Sequence, residues 1–207
     1  MGGSMPWCGR TGRTLMRVDV ALVHYPVVNR HGETIGSAVT NLDVHDIARA
    51  GRTYGIGTYW VITPFKEQRQ LVEQIVGHWT HGYGGSVNPD RSDALALVTV
   101  CATYAEALAG ATEKFGERPL VLATCAKEQA NTLEYAEVRE KIRRGTPVLL
   151  LFGTAWGLSP ELLAASDGVL PPLRGTTRFN HLSVRSAAAI ILDRLLGERG
   201  DSTIQAL

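Results

Sequence analysis

The sequence lacks several motifs by which common enzymes are recognised. No G-x-G-x-x-G follows the first predicted strand, which argues against a standard dinucleotide-binding loop. The chain also has no G-x-x-x-x-G-K-[ST] phosphate loop and no G-x-S-x-G nucleophile elbow. His78 and His81 have the spacing of a metal-binding pair, but no cysteine or carboxylate cluster accompanies them. We therefore expect no metal site.

Cysteine, net charge and long apolar runs are also scarce. The 207 residues include three cysteines (Cys8, Cys101 and Cys125), an odd number that favours free thiols and a reducing, cytoplasmic setting. The formal net charge is +1, so a nucleic-acid partner would have to bind a local basic patch. No apolar run approaches the length that spans a bilayer, and no membrane partner is expected.

What the sequence does contain is a regular alternation of strand-like and helix-like segments. Apolar runs predict strands at 17–25, 58–63, 94–101, 119–124, 148–152 and 167–170. Amphipathic segments predict helices at 44–54, 65–79, 104–115, 133–144 and in the last part of the chain, with a polar loop at 81–93. This alternation predicts an α/β fold with a mainly parallel sheet and helices on both faces.

The domain boundaries follow from the same pattern. We expect a single domain at 17–197. The glycine-rich residues 1–16 are expected to be disordered or partly derived from cloning, and 198–207 to form a tail. In the helix at 44–54 we expect Asp43 to be the N-cap, Gly55 to end the helix, and Arg49 and Arg52 to lie on its flank.

The stretch 147–197 is the most informative part of the chain. Its first strand ends at a loop that contains Gly153 and Gly157, and its second ends at Pro171 and Pro172. A long last helix follows a polar start at 180–183 and ends at Gly197. These backbone-rich loops are suited to converge on one small molecule.

Three ordered motifs in the chain resemble a known family. DVHDIARAGRTYG (43–55), LLLFGTAWGLSPELLAASDGVLPPLRG and LSVRSAAAIIL are similar to the three motifs of TrmH-like SPOUT methyltransferases. Arg49 and Gly55 fall on the arginine and glycine of the first motif. Asp43 replaces its usual Asn, and residues 154–156 replace the usual Glu of the second motif. In the third motif Ser183 stands where that class has Asn, and Arg185 where it has Ser.

The resemblance implies a fold, a cofactor and a substrate class. These are a deep C-terminal trefoil knot, S-adenosylmethionine (SAM), methyl transfer to tRNA or rRNA, and a homodimer. The chain looks closest to a less characterised bacterial branch marked by GTxWGL and NHLSVRSA. That branch occurs alone and as an extension of the guanine-N1 tRNA methyltransferase TrmD. Ribose 2′-O and base-nitrogen methylation both stay open, as does a catalytically silent RNA-binding or dimerisation module.

The resemblance also implies a set of site residues. Those expected to bind the cofactor are Leu151, Phe152, Gly153, Trp156, Gly157, Leu170, Pro171, Leu173, Gly175, Leu182, Ser183 and Val184; turn glycines and core packing are the alternative explanation. Arg49 is the expected catalytic residue, with a cation favoured by the helix dipole as its alternative. Arg30, Arg52, Arg174, Arg178 and Arg185 are expected to bind RNA phosphates, or else are solvated surface arginines. An apolar face with Leu192, Leu195 and Leu196 is a candidate dimer interface, or core packing within one chain.

Overall fold

The computed structural model describes residues 17–198 and is organised around a parallel sheet. The strands are β1 (Val18–Val23), β2 (Val27–Val28), β3 (Thr34–Ile35), β4 (Tyr59–Ile62), β5 (Val98–Cys101), β6 (Leu120–Thr124), β7 (Val148–Gly153) and β8 (Gly168–Leu170). Six of them form one sheet in the order β5-β4-β1-β7-β6-β8, in which every neighbouring pair is parallel. β2 and β3 form a separate antiparallel pair. The expectations for residues 1–16 and 199–207 fall outside the described residues.

Helices cover both faces of this sheet. They are α1 (Asn41–Tyr54), α2 (Lys66–Thr80), α3 (Tyr83–Val87), α4 (Pro89–Leu95), α5 (Tyr104–Phe115), α6 (Tyr135–Arg143), α7 (Pro160–Ala165) and α8 (Val184–Leu196). No helix in the described part of the chain is both long enough and apolar enough to cross a membrane.

The two central strands are buried on both faces, as their continuous apolar sequences predict. In β1, Val20 and Leu22 join the core that contains residues of α1, α4, α6 and α8, whereas Ala21 and Val23 join the core that contains residues of α5 and α7. β7 alternates in the same way. Each buried Val or Leu side chain contributes about 1.5–3 kcal/mol relative to an exposed one. The prediction of a mainly parallel sheet with helices on both faces is confirmed.

The helix of the first motif is also confirmed, although its cap is not. The predicted packing face of Val44, Ile47, Ala48 and Gly51 is buried, and Gly55 ends α1 in the left-handed region at φ 76°. The N-cap is Thr40, whose Oγ accepts from the amide of Asp43 at 3.2 Å and donates to its carboxylate at 2.6 Å. Asp43 therefore lies inside the first turn, and its assignment as the N-cap was wrong.

The expected polar loop at 81–93 is instead mostly helical. Asn88 caps α4 by accepting from the amide of Arg91, and Pro89 occupies the first turn, where its missing N–H costs nothing. Because α4 continues to Leu95, β5 begins later than predicted.

The last helix packs its predicted apolar face, Leu192, Leu195 and Leu196, against the core of its own chain, which was the alternative to a dimer interface. Its buried residues are Ala188, Ile191, Leu192 and Leu195, while Ile190 is 37% exposed. Leu192 and Leu195 pack into the core of their own chain, so they are not available as an interface between copies.

Candidate functional site

The loops that follow β6, β7 and β8 meet at one edge of the sheet. These strands are neighbours and parallel, so their carboxyl ends lie side by side. The segment 171–183 after β8 has neither helix nor strand, and two contacts hold it against the loop after β6. Asn180 donates to the carbonyl of Ala126 at 2.7 Å, and Arg174 pairs with Glu128 at 2.6 Å. The ring centres of His181 and Trp156 lie 6.1 Å apart, so the predicted loops at 153–157 and 171–183 meet there, beside the loop after β6, which was not part of the prediction.

The loop after β7 requires glycine at two places. A Cβ on Gly153 would lie 2.4 Å from the backbone nitrogen of Leu158 and 2.7 Å from the carbonyl carbon of Gly157. Gly157 has φ +115°, which side chains rarely adopt. The backbone thus folds tightly on itself at the end of β7.

The same loop is fastened to the segment that follows β1. The amide of Trp156 donates to the carbonyl of Val28 at 3.0 Å, and the amide of Val28 donates to the carbonyl of Gly157 at 3.0 Å. The Thr154 hydroxyl donates to the carbonyl of Val23 at 3.0 Å. These bonds fix the backbone of the loop, while the Trp156 indole remains 62% exposed.

A chain of polar side chains, not predicted from the sequence, lies behind this loop. His24, which directly follows β1 and is fully buried, places Nδ1 3.1 Å from the Ser37 hydroxyl. That hydroxyl lies 2.5 Å from the hydroxyl of Thr154. Burial lowers the pKa of His24 to about 4, against an opposing effect of Asp43, so the imidazole is neutral at pH 7. A polar residue at the carboxyl end of a central parallel strand was the available signal.

The predicted cofactor residues divide into core and loop positions. Leu151, Phe152 and Leu170 are at most 1% exposed, so their side chains belong to the core. Leu173 and Val184 are partly buried against the same core, whereas Leu182 is 47% exposed.

Three further residues of the predicted cofactor set lie in the irregular segment after β8, at the carboxyl edge of the sheet. The Pro171 carbonyl accepts from the Tyr135 hydroxyl at 3.1 Å. The Ser183 hydroxyl caps α8 by accepting from the amide of Ser186, and Gly175 is exposed, with open space where a Cβ would project. Tight glycine turns beside partly buried apolar side chains suit the close approach of a nucleoside.

Arg49 lies apart from these loops. It is exposed on α1 and lines an open groove of about 680 Å³ between α1, α2 and α4, together with His45, Trp79 and Arg91. None of the predicted cofactor residues lines this groove. The Arg91 guanidinium lies 4.6 Å from the centre of the Trp79 ring, and desolvation lowers the pKa of His45.

Most of the arginines predicted to bind RNA have partners within the chain. Arg52 pairs with Asp93 at 2.7 Å, Arg174 with Glu128, and Arg185 with both Asp43 and Asp46 at 3.6 Å. Arg30 donates through Nε to His31. Arg178 is exposed, and residues 17–198 offer it no ion-pair partner. Within the same range, no group of three or more His, Cys, Asp or Glu is placed to hold a metal.

The fold is that of the SPOUT methyltransferases. TrmJ from Z. mobilis superposes with a TM-score of 0.56 at 18% identity over 87% of this chain and 68% of that chain. The A. aeolicus TrmH/SpoU tRNA modifying enzyme gives 0.55 at 14% identity over 87% and 74%. AviRb from Streptomyces viridochromogenes, solved with AdoMet, gives 0.53 at 17% identity over 86% and 56%.

The sequence defines the family more narrowly. A family model described as SAM-dependent RNA methyltransferase matches residues 17–197, and the chain belongs to that family. It is 48% identical over 189 residues to a tRNA (guanine-N(1)-)-methyltransferase of Oleidesulfovibrio alaskensis, covering 91% of this chain but 43% of that protein. It is also 38% identical to an uncharacterized protein of Aquifex aeolicus, covering 86% of this chain and 87% of that protein. The chain thus spans less than half the length of the first of these relatives.

Proposed function

We propose that the chain transfers the methyl group of SAM to tRNA or rRNA, at a ribose 2′-oxygen or at a base nitrogen. The observation that carries this proposal is the convergence of three loops at the carboxyl edge of β6, β7 and β8, in a chain that belongs to a SAM-dependent RNA methyltransferase family. Transfer from a sulfonium is an in-line displacement, so the protein acts mainly by positioning donor and nucleophile and by excluding water.

The loop residues supply a surface suited to the cofactor. SAM, when bound, supplies the activated methyl group. Leu173, Leu182 and Val184 offer apolar surface for a nucleobase, and the irregular backbone of 171–183 offers amides and carbonyls for its polar edge. Gly153 keeps the neighbouring loop closed at the end of β7. His24 holds that loop through Ser37 and Thr154, where the related motif has a glutamate.

Arg49 is proposed to act on the RNA. A free guanidinium titrates far above neutral pH, so binding the phosphate or ribose of the target nucleotide is the role that fits its chemistry best. Its exposure and its position on a groove that also contains Arg91 and His45 support contact with a polyanion. Arg30 and Arg178 are proposed to contribute phosphate contacts. Arg52, Arg174 and Arg185 would contribute only by exchanging their intramolecular partners.

We further propose a homodimer formed through the outer faces of α1 and α8. These helices pack against each other, and each presents an apolar side chain outward: Leu42 is 58% exposed and Ile190 37% exposed. A second copy packed there would bring its loops towards Arg49 of the first. Ile190→Asp should shift the sedimentation coefficient to that of a monomer, whereas Ala189→Ser should not.

A C-terminal trefoil knot and a cytoplasmic location complete the proposal. After the edge strand β8 the chain returns to α8, which contacts α1 and α6. Helix α8 also contacts β7, which lies on the opposite side of β6 from β8. This return path is compatible with the threading expected of the family. Two free cysteines, Cys101 and Cys125, agree with a reducing compartment.

The target atom can be found by mapping transferred methyl groups. The protein is incubated with isotope-labelled SAM and bulk RNA, and nucleosides from complete digests are separated. Label in 2′-O-methylated nucleosides supports ribose transfer, and label in methylated bases supports base transfer, with guanine N1 being the activity in the longer relative's name. Tight SAM binding without transfer to any RNA would favour the silent RNA-binding module. That alternative rests on the departures at Asp43, Arg185 and 154–156.

A further inference from the structure

Four aromatic side chains stand exposed at the carboxyl edge of the sheet. Phe65 is 44% exposed, Tyr25 43%, Trp156 62% and Phe179 73%. Aromatic residues within the sheet are buried, among them Tyr59 and Phe152. Exposed apolar surface that is concentrated at one edge is unfavourable in water and is typical of surfaces used for binding.

The strand order places these side chains in a row. Phe65, Tyr25 and Trp156 each follow the end of a strand, namely β4, β1 and β7, which are neighbours in the sheet. Neighbouring strands lie about 4.8 Å apart, so the ends of these three strands extend over roughly 10 Å. Tyr25 and Phe65 meet edge to face, with ring centres 6.5 Å apart. We call these residues, together with Phe179, the aromatic row.

The other end of the row is continued by the segment before α8. The ring of His181 lies 6.1 Å from Trp156 and 5.5 Å from Phe179, both in edge-to-face contacts. Trp156 is held in place by the backbone bonds of its loop to Val28 and by the left-handed residue Ala155 at φ 51°. The indole is therefore presented on a fixed support, which lowers the entropy lost on binding.

The charges beside the row fit a nucleic-acid strand. Arg178 precedes Phe179 in the chain, Lys66 follows Phe65, and all four of these residues are exposed. Glu67, which follows Lys66 and is also exposed, is the acidic residue closest in sequence to Phe65, so the charge at this end of the row is mixed. Unpaired bases stack on aromatic side chains in a sequence-tolerant way, and cations at the flanks neutralise the phosphates between them. Paired bases in a duplex do not expose their faces in this manner.

We infer that the aromatic row is a stacking surface for the unpaired bases of a single-stranded RNA segment, which it delivers to the cofactor loops. The inference rests on the proposed function and narrows its substrate to unpaired regions such as loops. Trp156 lies in the middle of the row and on the loop after β7, so it would contact the base nearest to the reacting atoms.

The inference is tested by fluorescence anisotropy with a dye-labelled ten-nucleotide oligoadenylate at saturating S-adenosylhomocysteine. Phe65→Ala and Phe179→Ala alter the two ends of the row without touching the predicted cofactor residues, and Trp156→Ala alters its centre. Each should weaken binding by roughly tenfold or more. Tyr83→Ala is the matched control, because Tyr83 is 79% exposed but lies on α3, and it should change affinity less than twofold. An abasic strand and a ten-base-pair duplex should bind the unaltered protein as weakly as these variants bind oligoadenylate.

The salt dependence of RNA affinity distinguishes base stacking from the neutralisation of phosphates. Phe179→Ala should leave the slope of log affinity against log salt unchanged, whereas Arg178→Ala should reduce it by about one. Equal binding of the abasic and intact strands, or wild-type affinity in the Phe65 and Phe179 variants, would overturn the inference. A fall in sedimenting mass in these variants would overturn it in favour of a second copy covering the row. Absence of SAM binding by the unaltered protein would instead contradict the proposed function.

Discussion

Arg185, in the first turn of α8, lies beside Asp43, in the first turn of α1, with Nε 3.6 Å from the carboxylate oxygen Oδ1. Asp43 is 13% exposed and Arg185 29% exposed, so the pair is largely shielded from solvent. The resemblance to the TrmH-like motifs implies that both residues are replacements, of an Asn and a Ser respectively. The two side chains face each other, and we propose that they act as one pair that joins α1 to α8.

The pair predicts a coupling between the two positions. Arg185→Ser leaves the Asp43 carboxylate partly buried without its cation, whereas Asp43→Asn leaves Arg185 with Asp46 as its remaining carboxylate partner. Each single variant should lower the free energy of unfolding by about 1 kcal/mol, and the double variant should recover most of that loss. Urea denaturation of the four proteins measures the coupling. Additive losses in the double variant would show that the two positions are independent.

We predict that the protein becomes less stable in mild acid because His24 is buried in its neutral form. Burial lowers its pKa from 6.5 to about 4, so between these values the unfolded chain binds a proton that the folded chain does not. Stability from this group is complete above about pH 6.5 and declines as the pH falls towards 4, by at most about 3 kcal/mol. Desolvation lowers the pKa of His45 as well, which adds a slope of the same sign.

A variant isolates the contribution of His24. His24→Asn keeps a polar atom near the Ser37 hydroxyl but does not titrate. Its urea midpoint should therefore depend less steeply on pH between 7 and 4.5 than that of the unaltered protein. Identical slopes for the two proteins would mean that His24 titrates normally in the folded chain.

We predict that the loop after β7 tolerates no side chain at position 153. In Gly153→Ala the new methyl would meet the backbone of Gly157 and Leu158, which cannot move aside without opening the loop. We expect SAM affinity to fall at least tenfold, with a loss of stability of about 1–3 kcal/mol. Gly77→Ala in α2 is the control, since a Cβ there meets nothing within 4 Å, and it should stabilise the protein slightly. Calorimetry for SAM and urea denaturation report on the two effects, and wild-type SAM affinity in Gly153→Ala would contradict this account of the loop.

We predict that replacing Arg49 lowers turnover without weakening cofactor binding. Arg49→Ala should reduce the rate of methyl transfer by a factor of about 100 or more, because the phosphate or ribose contact is lost in the transition state. Arg52→Ala is matched in helix and exposure, but its guanidinium is paired with Asp93. It should change the rate only a few-fold. Unchanged turnover in Arg49→Ala would remove Arg49 from the mechanism.

The sequence predicted the sheet and most helices because their signals are local. The apolar runs of β1 and β7, and the spacing of Val44, Ile47, Ala48 and Gly51, report directly on burial. Helix α4 was missed, and 81–93 was predicted as a loop, because an Asn-Pro pair that caps a helix also occurs in turns.

The polar contacts of the site could not be predicted in the same way. The contacts of Arg185 with Asp43, and of His24 with Thr154 through Ser37, join residues far apart in the chain. Only the packing of α8 on α1, and of the β7 loop on the segment after β1, brings these residues together. The role of the apolar face of α8 stayed open because its apolar residues are almost continuous, so periodicity does not distinguish core packing from an interface between copies.

The central claim is that the loops after β6, β7 and β8 bind SAM. Backbone amide chemical shifts recorded during a SAM titration test it most directly, because they report both binding and its place. The account predicts saturable shifts concentrated at 124–128, 153–157 and 170–184, with little change along α2 and α4. No shifts at saturating SAM, or shifts confined to the groove between α1, α2 and α4, would contradict it.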